Sequence, residues 1–203
     1  MLFLCLFSNF SNYYNRFTMV NKDTNERNNH FFSFNVGPAH LISYSSEFYY
    51  FTEYGWDQIK TQYEWLEKEL IEANKPSNRA ARPWLIIFGH RSMYCGSPKH
   101  SWECNTTNLR RTNVKDGIRI KDEGLPKYGL EQLFYKYGVD LEIFGHEHNY
   151  HRFFPVYNDK VYNGSSEQPY HNPKAPVHLI TGSAVISFVF MLINVFMFIF
   201  VIL

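Results

Sequence analysis

The strongest constraint on this chain is a pattern that occurs twice. Trp84-Leu-Ile-Ile-Phe-Gly-His90 and Leu141-Glu-Ile-Phe-Gly-His146 are each an apolar run of strand length closed by Gly-His. Short apolar runs bounded by glycine read as buried strands. Each is preceded by a helical pattern. From Asp57 to Ala73, Ile59, Tyr63, Leu66, Leu70 and Ile71 recur at near-helical spacing among charged residues, with Asn74-Lys-Pro76 as the stop. From Lys127 to Tyr137, Leu130, Leu133, Phe134 and Tyr137 share one face, and Gly138 is the expected stop. Val177–Thr181 reads as a last strand. Helix and strand alternating in this way predict an α/β domain, of layered αββα type. The chain of 203 residues is long enough for one domain with its own core.

Ahead of these units, residues 30–35 and 39–44 read as strands joined by the turn Val36-Gly-Pro38, a hairpin. His30 and His40 fall in it and read as structural. Residues 91–122 have little periodicity and read as a long loop directly after His90, placed to cover whatever site His90 belongs to.

The two Gly-His ends carry the chemistry. His148 follows His146 by two residues, and in an extended segment i and i+2 share a face about 6–7 Å apart. Three neutral imidazoles so gathered suit zinc or iron, and the spacing suits two ions about 3.5–4 Å apart. Glu147, between them, either orients a ligand or points to solvent.

Twenty basic and 19 acidic residues leave a net charge of +1 with no basic stripe, which argues against nucleic acid as partner. Ala184–Leu203 is 20 residues without a charge, long enough to span a bilayer. Two readings stand side by side: a membrane anchor, or an artefact of an incomplete gene model. The apolar start, Met1 to Phe7, lacks the positive flank and cleavage site of a signal peptide. Cys95 and Cys104 are close enough to pair, leaving Cys5 over, and Asn9, Asn105 and Asn163 head Asn-x-Ser/Thr sequons. Together they favour a secretory or extracellular setting, membrane-anchored if the tail is real.

Gly89-His-Arg-Ser-Met-Tyr-Cys95 and Gly145-His-Glu-His-Asn-Tyr-His-Arg-Phe-Phe-Pro-Val-Tyr-Asn158 resemble the purple acid phosphatases, animal type, of the calcineurin-like metallophosphoesterase superfamily. Supporting runs lie at Gly37–Ser43, Ala80–Trp84, Tyr128–Asp140 and Ile180–Ser183. The resemblance covers roughly residues 9–183, the expected catalytic portion, with 184–203 as a separate tail. It implies paired sheets flanked by helices and hydrolysis of phosphate monoesters at acid pH by a hydroxide held on a dinuclear centre of Fe and Zn, or Fe and Mn. It further implies that His90 and His146 hold the divalent ion and His148 the ferric ion. His100, Tyr150 and His151, near these positions, are candidates to donate to substrate phosphate or protonate the leaving group. His151 stands where the family often has Glu.

Three further motifs of that family, Gly-Asp-x-Gly, Gly-Asp-x-x-Tyr and Gly-Asn-His-Asp/Glu, do not occur in this sequence. They supply the bridging carboxylate and the coloured tyrosine ligand. The chain is therefore expected to be the C-terminal half of the catalytic domain, with sheet edges and apolar faces uncovered. Two functions follow: an acid phosphatase, or a catalytically inactive isoform or membrane-tethered binding module lacking the N-terminal ligands.

Overall fold

The computed structural model describes residues 11–19, 28–51, 57–104, 114–115, 118–119 and 128–182. The tail 184–203 and the sequons at Asn9 and Asn105 lie outside the described residues. Helix α1 is Ser11–Arg16; strands β1, Phe32–Val36, and β2, Ala39–Ser43, follow; then come helices α2, Asp57–Ala73, and α3, Pro76–Ala81, and strand β3, Trp84–Gly89. A 3-10 turn at Glu47–Tyr49 follows β2, and another at Pro98–Cys104 follows β3. The remaining elements are β4, Val114–Lys115; β5, Ile118–Arg119; α4, Leu130–Lys136; β6, Leu141–Phe144; β7, Tyr150–Arg152; β8, Val156–Tyr157; β9, Lys160–Val161; and β10, Val177–Thr181.

Six strands form one sheet in the order β1-β2-β3-β6-β10-β7. The four central strands, β2, β3, β6 and β10, are parallel, and an antiparallel strand closes each edge. Parallel strands need crossovers, and α2–α3 and α4 supply two of them. The expected α/β class holds. Among the described residues the layers are one helical layer and one large sheet, with two short hairpins, β4–β5 and β8–β9, beside it.

Side chains alternate across the sheet, and the two faces differ. Ile42, Leu85, Ile87 and Phe144 are buried on one side, packed in one cluster with Ile59, Leu66 and Leu70 of α2 and Leu133 and Phe134 of α4. Gln62, fully buried on α2, clasps the chain just past β2: its amide oxygen accepts from the Ser45 N–H at 2.7 Å and its nitrogen donates to the Ser45 carbonyl at 3.0 Å. Ile71, expected in the α2 stripe, is 49 % exposed. It follows Leu70 by one residue, and 100° of helical rotation takes it off the buried face. On the opposite side of the sheet, Phe32, Phe34 and Phe88 form an aromatic cluster. Phe34, Val36 and Trp84 are exposed there.

Local signals explain the element ends. Gly37, at φ 51°, turns the β1–β2 hairpin. The helix expected from residue 127 starts at Leu130, because Tyr128 adopts φ 85° and Gly129 is extended. It ends at Gly138, φ 62°, in a Schellman arrangement in which the Val139 N–H donates to the Phe134 carbonyl at 3.1 Å. At the amino-terminal ends of the strands, Asp140 ties three together. Its carboxylate accepts from the Leu85 N–H at 2.7 Å, its N–H donates to the Leu85 carbonyl at 2.9 Å, and its carbonyl accepts from Val177 N–H at 3.1 Å. The loop expected over 91–122 contains the 3-10 turn and the β4–β5 hairpin.

Candidate metal centre

In open parallel sheets the strand carboxyl ends collect functional groups. Here Glu47 lies just beyond β2, His90 and Arg91 follow β3, and His146 follows β6. A main-chain bond from Gly145 N–H to the His90 carbonyl, 3.0 Å, holds the two Gly-His turns side by side. The imidazoles then meet edge to face, centroids 4.9 Å apart, with His146 Nδ1 3.1 Å from His90 Nε2. Burial lowers the His90 pKa from its ordinary value; Glu47 and Glu103 oppose the shift, while His146 and Arg91 add to it.

The sequence placed His146 and His148 on one face of an extended segment. The structure differs. The strand stops at Phe144, and His146 takes the left-handed conformation at φ 51°. Such backbone costs a non-glycine residue about 1–2 kcal/mol and is found where surrounding contacts enforce it. The turn leaves His146 half-buried, Glu147 buried and His148 exposed, outside the contacts that join His146 to His90. Nor does Glu147 point to solvent: it accepts from Gly96 N–H at 3.1 Å, from the Ser92 hydroxyl at 3.5 Å and from the Asn149 amide at 3.4 Å. It thereby pins the segment after His90 beneath the His146 turn. Gly182, leaving β10, closes the other side; a Cβ there would stand 2.1 Å from the Glu147 carbonyl oxygen.

Three charged residues that sequence reasoning passed over complete the cluster. Arg91 is buried and donates through Nε to Glu47 at 2.9 and 3.2 Å and through Nη1 to Glu103 at 2.9 Å. Burial opposes its charge, but the two carboxylates prevail and hold its pKa above the ordinary guanidinium value. Its guanidinium lies over the Tyr50 ring, 4.5 Å from the centroid. Glu103 also faces His146: its oxygens are 3.1 and 3.2 Å from Nε2. Cys95 and Cys104 do pair, with Cα atoms 5.6 Å apart, and that bridge holds the turn carrying Glu103. Arg91 was visible within the Gly-His-Arg run. Glu47 and Glu103 carried no periodic or spacing signal.

Two imidazole nitrogens bound tetrahedrally at about 2.0–2.1 Å from one zinc ion stand roughly 3.3 Å apart. The 3.1 Å between His146 Nδ1 and His90 Nε2 fits two ligands of one ion. Among the described residues, no group of three or more His, Cys, Asp or Glu side chains is arranged to hold a metal. The described residues thus bring two imidazoles together and do not form a closed dinuclear site. His151 lies in β7 with its ring packed on Gly96, where an added Cβ would come within 2.2 Å of it. His100 lies in the Pro98–Cys104 turn, and its side chain is outside the described residues.

Comparison with known proteins bears on this cluster. Residues 6–150 match the family model described as calcineurin-like phosphoesterase. Acid phosphatase type 7 of Danio rerio is 53% identical over 179 residues, which cover 87% of this chain and 38% of that protein. Its Homo sapiens namesake is 48% identical over 176 residues, covering 87% and 37%. The chain thus spans less than two-fifths of the length of these relatives. A purple acid phosphatase from yellow lupin (Lupinus luteus) seeds superposes with a TM-score of 0.50 at 26% identity, covering 75% of this chain and 22% of that one.

Proposed function

This chain belongs to the calcineurin-like phosphoesterase family, and we propose that it serves as part of a metal-dependent acid phosphatase acting on phosphate monoesters. The family implies a dinuclear metal centre. The observation that carries the proposal is the convergence of His90 Nε2 and His146 Nδ1 at 3.1 Å, at the carboxyl ends of neighbouring parallel strands. We assign these two histidines to one divalent ion, zinc or manganese, and exposed His148 to the second, iron. When bound, such ions supply Lewis acidity toward phosphate oxygens and lower the pKa of water. The chain's own residues present neutral imidazole, keep Arg91 and Glu103 locked beside it, and close the floor of the site with Glu147. A secretory or extracellular setting is supported by the Cys95–Cys104 disulfide and by the exposed sequon residue Asn163.

The experiment is hydrolysis of an aryl phosphate by the full chain between pH 4 and 7 with iron and zinc supplied. Turnover that needs metal and is lost in His146→Ala supports the proposal. A chain that neither turns over the ester nor binds Zn²⁺ through His90 and His146 moves the assignment to a second reading, a catalytically silent binding module. One observation favours that reading: the Arg91 guanidinium stands 3.2 Å from His146 Nε2, a fixed cation beside a cation site. Any membrane attachment through residues 184–203 remains part of this proposal. Among the described residues no helix is long and apolar enough to cross a membrane.

A further inference from the structure

We infer that Glu103 is a positioning residue for His146, and that the Cys95–Cys104 disulfide carries it into place. The inference rests on the reading of His90 and His146 as a ligand pair. Both Glu103 oxygens lie within hydrogen-bond reach of His146 Nε2, at 3.1 and 3.2 Å. The Glu103 side chain is 6% exposed, so water does not substitute for the imidazole. A carboxylate only accepts, so a neutral imidazole facing it puts its proton on Nε2. The Nδ1 lone pair is then directed to His90, 3.1 Å away, which is where an ion held by the pair would sit. A carboxylate that fixes the tautomer of a ligating histidine raises both its order and its basicity.

Arg91 Nη1 also lies near His146 Nε2, at 3.2 Å, and a guanidinium only donates. It makes the shorter, charge-assisted contact with Glu103, 2.9 Å. Two carboxylate oxygens facing an unprotonated Nε2 would be repulsive, so the Nε2–H form prevails and Arg91 serves to hold Glu103.

The chain delivers Glu103 from several sides. Cys104, its neighbour, is bonded to Cys95. The Tyr50 hydroxyl donates to the Glu103 carbonyl at 2.9 Å. At the other end of the bridged loop, Gly96 N–H donates to Glu147, the residue next to His146. One loop, closed by one disulfide, thus bears on His146 from its side chain and from its main chain.

The test is long-range 15N NMR of the full chain labelled at histidine, which reads the His146 tautomer with no metal present, paired with Zn²⁺ affinity by chelator competition. The wild type is expected in the Nε2–H form. Glu103→Gln, whose amide oxygen still accepts, is expected to keep it, and Glu103→Ala to lose the preference. Zn²⁺ affinity should fall about 10–100-fold in Glu103→Ala, and Cys95→Ser/Cys104→Ser should follow Glu103→Ala in both readouts. An Nδ1–H tautomer in the wild type, or a Glu103→Ala variant with unchanged tautomer and affinity, overturns the inference. A wild type that binds no Zn²⁺ refutes the ligand-pair reading alone, and the tautomer still decides the role of Glu103.

Discussion

Replacing Arg91 with Met removes a charge while keeping most of the stem that lies over Tyr50, and it asks what the buried network contributes. Arg91 and Glu103 have side chains only 9% and 6% exposed; that of Glu47 is 21% exposed. Without the guanidinium, Glu47 can turn toward water, but buried Glu103 loses its cation and keeps the contact with His146 Nε2. Breaking a buried pair by removing one partner costs about 3–5 kcal/mol. Because Glu47 has an escape, the low end, about 3 kcal/mol at pH 7, is expected. That is a large part of the roughly 5–15 kcal/mol that holds a domain together. Urea denaturation of wild type and variant at pH 7 measures the loss. Arg91→Met/Glu103→Gln should recover more than half of it, a coupling that a double-mutant cycle reads. A loss under about 0.5 kcal/mol, or no recovery in the double variant, would refute the reasoning.

Other outcomes follow from the same geometry. Burial works against the Glu69 carboxylate, but hydrogen bonds from His40 and Ser33 outweigh it and lower its pKa. Its contribution to stability is therefore present above the unfolded value of about 4.3 and is lost as pH falls through the folded pKa; Glu69→Gln should flatten that acid limb in a pH series of thermal melts. Gly182→Ala drives a Cβ to 2.1 Å from backbone oxygen and should cost at least about 1–3 kcal/mol, the scale of overpacking, by urea titration. Phe134→Ala, at a fully buried position packed edge-on to Tyr44, should cost about 3–5 kcal/mol in the same assay.

Where the fold was legible, one signal sufficed for each element. Periodicity set the bounds of α2, the Gly-His runs ended β3 and β6, and Gly138 stopped α4 by the left-handed turn only glycine takes cheaply. The meeting of His90 and His146 was legible in the repeated Gly-His pattern, and the residues that support it were not. Reading His146 and His148 on one face required an extended chain, and the chain turns at His146 under contacts from His90, Gly96 and Gly182 that no local pattern encodes. Glu47 and Glu103 lie 43 and 13 residues from His90 in sequence. They reach the histidines only because β2 ends beside β3 and because Cys95 and Cys104, whose pairing the sequence left open, are bonded. Tertiary path, not propensity, decides such positions.

The central claim is that His90 and His146 are two ligands of one ion. Equilibrium Co²⁺ binding to the full chain, followed by its visible absorption, tests it directly. The account predicts one ion bound with imidazole ligation, and loss of that spectrum in both His90→Ala and His146→Ala. A spectrum that survives either substitution, or no Co²⁺ binding by the wild type, would contradict it.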